Sequence, residues 1–125
     1  MRLLLDTQIY LWYLADSRKL SRKARGEIAG AVEVFVSAAS IWEAAVKAGI
    51  GKLNVVAGDL VAGIWASGFS ELPVSALHAA RVAGLPHHHR DPFDRLLVAQ
   101  AMYEPLHLLT ADVMLKQYSD LILLN

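Results

Sequence analysis

The sequence predicts an α/β fold: an open, mostly parallel central sheet of about five strands, flanked by helices, in a single domain over residues 1–125. Two observations predict it. Short apolar runs recur without the apolar–polar alternation of a half-exposed strand, which is the pattern of strands covered on both faces. Between them lie stretches of helical periodicity with recognisable caps. Strand and helix therefore alternate from end to end, as in an open sandwich with right-handed crossovers.

The apolar runs are RLLL (2–5), VFVS (34–37), LPV (72–74), LHLL (106–109) and LILL (121–124). The first expected helix, 7–15, follows the first strand directly. Helices are expected next at about 22–30 behind Ser21, at 38–48 ending at Gly49, and at 58–67. A further one covers 76–83 behind Ser75, since Ser accepts from the free backbone N–H groups of a helix start. Pro92 opens a helix over 92–103, because its fixed φ suits the first helical turn. The last is expected over 112–118. Pro86 and Pro92 bracket the loop that reads as long and exposed. There is no internal repeat, low-complexity tract or linker. In sheets of this kind ligands bind beyond the carboxyl ends of the strands, where strand order reverses.

At 125 residues the chain has the length of one domain. Twelve Lys and Arg balance twelve Asp and Glu, so no strong overall field draws in nucleic acid, and a polyanion must be held by a local patch. Cysteine is absent, which excludes disulfides, thiolate catalysis and the usual structural zinc sites. Asp6 interrupts the apolar start and no small-residue cleavage site follows, so no signal peptide is expected. No stretch reaches the roughly 18 apolar residues that span a bilayer. A soluble protein without a membrane partner is expected, and a reducing cytoplasm fits.

Charge gathers in PHHHRDPFDRLLVAQA (86–101), against the start of an apolar helix. Four acids merit separate weighing. Asp6 directly follows the first strand; taken alone it reads as a helix cap. Glu43 lies on a helix with Ala, Ile, Trp and Val around it, and its bland reading is an i,i+4 ion pair with Lys47. Asp94 sits in the first turn of the helix that Pro92 opens, where an acid also favours the dipole. Asp112 follows the fourth strand and again reads as a cap.

Together these readings require a coincidence. In a parallel sheet Asp6, Glu43 and Asp112 share the carboxyl edge, and clustered acids repel unless a cation sits among them. Without sulfur ligands, that cation is hard and oxygen-loving, such as Mg²⁺ or Mn²⁺, and such ions clamp phosphate oxygens and activate water. Phosphodiester hydrolysis is the matching reaction class. Thr7, Ser37 and Thr110 add hydroxyls at the same strand ends, read equally as helix caps.

LLLDT at the start, VSAASIWEAAVKAGIGKL in the middle, LPHHHRDPFDRLLVAQA later and LLTAD near the end carry a family likeness in their order and spacing. In them the chain resembles the PIN-domain ribonucleases, specifically the VapC-like toxins of bacterial toxin–antitoxin pairs. The resemblance implies a PIN-like sandwich and a metal-dependent endoribonuclease whose acidic quartet coordinates Mg²⁺ or Mn²⁺. It carries over to Asp6, Glu43 and Asp94 as the central acids and to Asp112 as the fourth. It further implies an RNA substrate, a cognate antitoxin laid across the helices near the site, and a homodimer. Arg90 and Arg95 then flank Asp94 where a phosphate backbone passes. His87, His88 and His89 read as a solvated or RNA-facing loop, because consecutive loop residues seldom converge on one ion. Asp91 reads as a turn residue before Pro92 or an accessory acid.

The densest basic cluster is SRKLSRKARGEI (17–28), where Arg22 and Lys23 are read either as phosphate-binding groups or as a solvated face. Trp12, Tyr13, Trp42 and Trp65 are assigned to packing. A competing reading keeps the fold without catalysis, as an inactive PIN-like RNA-binding or scaffold protein. A receiver domain would bring paired acids after the first strand, and a dehalogenase-like phosphatase an Asp-x-Asp, neither of which DTQ supplies.

Overall fold

The computed structural model describes residues 1–125. Its five strands are β1 (Arg2–Leu5), β2 (Glu33–Ser37), β3 (Ser70–Leu72), β4 (His107–Thr110) and β5 (Ile122–Leu124). They form one sheet in the order β3-β2-β1-β4-β5, with every neighbouring pair parallel. The chain steps outward from β1 to β2 and β3, then crosses back to β4 and β5. Strand order thus reverses between β1 and β4.

Each central strand is buried on both faces, which is why the sequence shows runs rather than alternation. Leu3 and Leu5 of β1, Val34 and Val36 of β2, and Leu109 of β4 point into one core. Leu4, Phe35 and Leu108, one residue out of phase, point into the other. The first core is closed by α1 (Thr7–Leu14), α2 (Arg22–Gly30) and α4 (Ala57–Ala66), through Ile9, Tyr10, Ala24, Ile28, Leu60 and Ile64. The second is closed mainly by α6 (Pro92–Tyr103), through Leu97, Val98, Ala99 and Ala101. The helix α3 (Ala38–Gly49) contributes Ala44 to one core and Ala39 to the other. The remaining helix is α5 (Ala76–Arg81).

Several elements differ from the sequence reading. The third strand ends at Leu72, not at residue 74, because Pro73 has no N–H to continue the ladder. The helix expected over 76–83 divides into α5 and a 3-10 turn, Val82–Gly84. The segment after β4 is a 3-10 turn, Val113–Tyr118, with Asp112 as its cap; such turns serve as short connectors. No helix is long and apolar enough to cross a membrane. Of the aromatics assigned to packing, Trp12 and Tyr13 do pack against the first core, but Trp42 and Trp65 are 60% and 63% exposed. Their faces of α3 and α4 point away from the sheet.

Candidate active site

The reversal between β1 and β4 sets the site. Asp6 follows Leu5 at the carboxyl end of β1, and its N–H bonds the carbonyl of Leu109 on β4 at 3.0 Å. Its side chain caps α1, with Oδ1 accepting from Ile9 N at 2.8 Å, while Oδ2 accepts the Thr110 hydroxyl. The cap reading of Asp6 is therefore correct, and it does not exclude the other. The residue also lines a cleft of about 320 Å³ together with Glu43, Asp94 and Asp112.

Glu43 reaches the cleft because α3 starts at once after β2, with Ser37 capping it through Ala39 N at 3.0 Å. It is buried, and both oxygens are engaged. Oε1 accepts from Thr7 Oγ1 at 2.6 Å, and Oε2 pairs with Lys47 Nζ at 2.6 Å. The i,i+4 ion pair thus exists inside the cleft, where Lys47 is the lining cation. Asp94 is delivered by the start of α6, where Asp91 Oδ1 accepts from Phe93 N at 2.8 Å and Asp94 N at 3.2 Å. Asp91 also lines the cleft, so this turn residue adds a further carboxylate to its wall. Asp112 caps the last 3-10 turn through Met114 N at 3.0 Å.

Burial and mutual repulsion mark these groups. Burial pushes the Asp6 carboxyl up to about 6; the Thr110 and Ile9 bonds oppose it, and the charges of Glu43 and Asp112 add to it. Burial pushes Asp94 up to about 7, reinforced by Asp91, Asp6 and Glu43. The bond to Glu43 raises the Lys47 ammonium above its ordinary value. One ammonium among five carboxylates leaves the cleft strongly negative. An all-oxygen donor set of this kind suits Mg²⁺ or Mn²⁺.

Other expected site residues divide. Thr7 and Thr110 do support the acids, through Glu43 and Asp6 respectively. Ser37 does not: apart from its cap, its hydroxyl donates to Gln100 Oε1 at 2.6 Å, inside the fold. Arg95 is a correction. It is 8% exposed, and its guanidinium donates to the carbonyls of Pro86 at 2.8 Å and Val82 at 3.1 Å and to the Tyr118 hydroxyl at 3.1 Å. Both terminal nitrogens are thus engaged within the fold, because α6 turns this side chain to its buried face. Arg90, Arg22 and Lys23 are exposed and lie outside the cleft lining.

The histidine loop is also a correction. His87 is exposed as expected, but His89 turns inward, its Nε2 2.7 Å from Asp112 Oδ2 and 3.7 Å from Asp94 Oδ2. Donor atoms of these three residues lie within 4.8 Å of one another. Nothing in a run of three histidines distinguishes the third; only the contacts of its loop do.

A parallel α/β sandwich that gathers carboxylates at its topological switch point defines an acid-cluster domain of the α/β class. The chain belongs to the PIN domain family, whose model matches residues 3–121. No curated protein sequence matches it. Solved structures share the fold. The chain is similar to one in VapBC2 from Rickettsia felis bound to a DNA fragment from their promoter, with TM-score 0.69 and 16% identity over 100% of this chain and 98% of that one. A toxin–antitoxin complex from Klebsiella pneumoniae gives TM-score 0.67 at 18% identity, over 97% of this chain and 95% of that one. FitAB bound to an IR36 DNA fragment gives 0.66 at 18%, over 98% and 94%.

Proposed function

We propose that the protein is a metal-dependent endoribonuclease and the toxin of a toxin–antitoxin pair. The observation that carries this reading is the convergence of Asp6, Glu43, Asp94 and Asp112 from four separate segments on one cleft at the switch point of a PIN domain. Asp6 and Asp94, both with raised proton affinity, are groups that a cation would hold ionised. Bound there, Mg²⁺ or Mn²⁺ would supply Lewis-acid polarisation of a phosphodiester and activation of water. The protein's own part is positional. Thr7 and Thr110 fix the carboxylates of Glu43 and Asp6, and Asp91 fixes the helix start that carries Asp94. Lys47 offsets part of the charge when the cleft holds no cation.

RNA is the substrate in this reading, with exposed Arg22, Lys23 and Arg90 as its phosphate contacts. An antitoxin partner is supported by the assemblies of the structural neighbours, which are toxin–antitoxin complexes. Exposed Trp42 and Val46 on α3, Ile50 just after it and Trp65 on α4 support a covered surface, in a homodimer or under the antitoxin. A cytoplasmic location goes with a partner and substrate of these kinds.

The test is incubation of the purified protein with structured RNAs in Mg²⁺, in Mn²⁺ and in chelator, with the ends mapped. Cleavage in either metal, none in chelator and none by Asp94→Asn is expected. Metal binding without cleavage of any RNA would instead favour an inactive RNA-binding or scaffold protein.

A further inference from the structure

We propose that His89 is a positioning residue: it fixes the fourth carboxylate, Asp112, by donating Nε2–H to it, and Arg95, His88 and Tyr118 hold it in place to do so. The inference rests on the metal-site reading above and goes beyond the acids themselves.

The ring's tautomer is set by its neighbours. His89 Nδ1 accepts the backbone N–H of Asp91 at 3.0 Å, so the single proton of the neutral imidazole sits on Nε2. That nitrogen lies 2.7 Å from Asp112 Oδ2, a normal donor distance. Direct coordination through Nε2 would require the proton to move to Nδ1, which would then face the N–H of Asp91. The ring also stands outside the cleft lining, whereas Asp94 and Asp112 are part of it. His89 therefore acts through Asp112 rather than beside it.

Asp112 needs such help. Its side chain is 33% exposed, the most open of the four acids for which a cation site is proposed here, and its Oδ1 is already taken by Met114 N. Without His89, Oδ2 has no partner within the protein. The mount is a closed circuit. The turn that Asp112 opens ends at Tyr118, whose hydroxyl accepts from His89 N at 3.0 Å and from Arg95 Nη1 at 3.1 Å. The His88 ring packs edge-on against Tyr118 at 5.0 Å. Arg95 ties the preceding turn and Pro86 to α6. A buried arginine and a tyrosine hydroxyl are thus spent on the backbone that aims one imidazole. Groups that orient metal-binding side chains in this way are commonly worth 10–100-fold in metal affinity.

The experiment is calorimetric titration of the metal-free protein with Mn²⁺, for wild type, His89→Ala, His89→Gln, Tyr118→Phe, Asp112→Asn and the His89→Ala/Asp112→Asn double variant. His89→Ala should weaken Mn²⁺ binding about tenfold. The double variant should bind no more weakly than Asp112→Asn alone, since both changes remove one function. His89→Gln, whose amide can donate from a similar position, should recover part of the loss. Tyr118→Phe should lose several-fold without touching the cleft, which keeps the inference testable if His89→Ala does not fold. Additive losses, or unchanged binding in both His89→Ala and Tyr118→Phe, would overturn it. So would nitrogen hyperfine coupling from a histidine to bound Mn²⁺, present in wild type and lost in His89→Gln, which would make His89 a ligand. Wild-type protein that takes up no Mn²⁺ at all would overturn the metal reading itself, and this inference with it.

Discussion

Thr110 donates its hydroxyl to Asp6 Oδ2 across 104 residues of sequence. The bond joins the ends of β1 and β4, the two strands between which the chain reverses, and it opposes the burial that raises the Asp6 carboxyl. Thr110→Val keeps the shape and removes the donor. The Asp6 carboxyl should then titrate above 6, and stability at neutral pH should fall by about 1.5–3 kcal/mol, the usual worth of a bond to a charged group. Carboxyl-labelled NMR titration and urea denaturation measure the two effects. An unshifted Asp6 resonance would show that the hydroxyl has another partner.

Stability of the metal-free protein should decline with pH. Asp6 and Asp94 hold their protons more tightly folded than unfolded, up to about 6 and about 7. The stabilising contribution of these protonated acids is therefore fully present below about pH 4 and is lost as pH rises through those values. In chelator, wild type should melt lower at pH 8 than at pH 5. Asp94→Asn should remove part of that slope and gain roughly 1–2 kcal/mol at pH 8. Millimolar Mg²⁺ should raise the wild-type melting temperature, by about 2.7 kcal/mol of stabilisation at a hundredfold excess over its dissociation constant. Identical slopes in wild type and Asp94→Asn would show that this carboxyl carries no strain.

Lys47 is the cation already in the cleft, 2.6 Å from Glu43. Lys47→Met should lower metal-free stability by about 1–2 kcal/mol, because the buried Glu43 carboxylate loses its counter-charge. The same change should tighten Mn²⁺ binding several-fold, since a competing positive charge is gone. Weaker Mn²⁺ binding would mean that Lys47 orders Glu43 more than it competes.

Gly63 tests the first core. A Cβ there would stand 2.8 Å from the Tyr10 hydroxyl and 3.2 Å from the Leu14 methyls, and Tyr10 is buried with its hydroxyl donating to Leu60 O at 2.6 Å. Alanine favours a helix over glycine by about 1 kcal/mol, whereas overpacking costs about 1–3 kcal/mol. Gly63→Ala should therefore be destabilising by about 1 kcal/mol in urea denaturation. A more stable variant would show that Tyr10 can shift without losing its bond.

What was legible in the sequence followed from local rules. A residue directly after a strand of a parallel sheet, or within two residues of its end, lies at the carboxyl edge, which placed Asp6 and Asp112. Glu43 stood out because its helix neighbours are apolar. Arg95 was misread although a signal existed: it precedes Val98 by three and Ala99 by four, so it shares their buried face of α6. His89 had no such signal, because its orientation depends on Tyr118 and the Asp91 N–H, 29 and 2 residues away. Ser37 looked like its fellow hydroxyls until Gln100, 63 residues on, proved to be its partner.

The strand order carries a further consequence. A break at the exposed turn around Gly68 would leave Asp6 and Glu43 on one fragment and Asp94 and Asp112 on the other. Because β2 pairs with β3 and β1 with β4, neither fragment can build the sheet without the other. One seam, between β1 and β4, runs through the centre of the sheet, and the other, between β2 and β3, joins an edge strand to it. Each half alone would carry only two of the four acids, so the cluster would re-form only where both halves share one sheet.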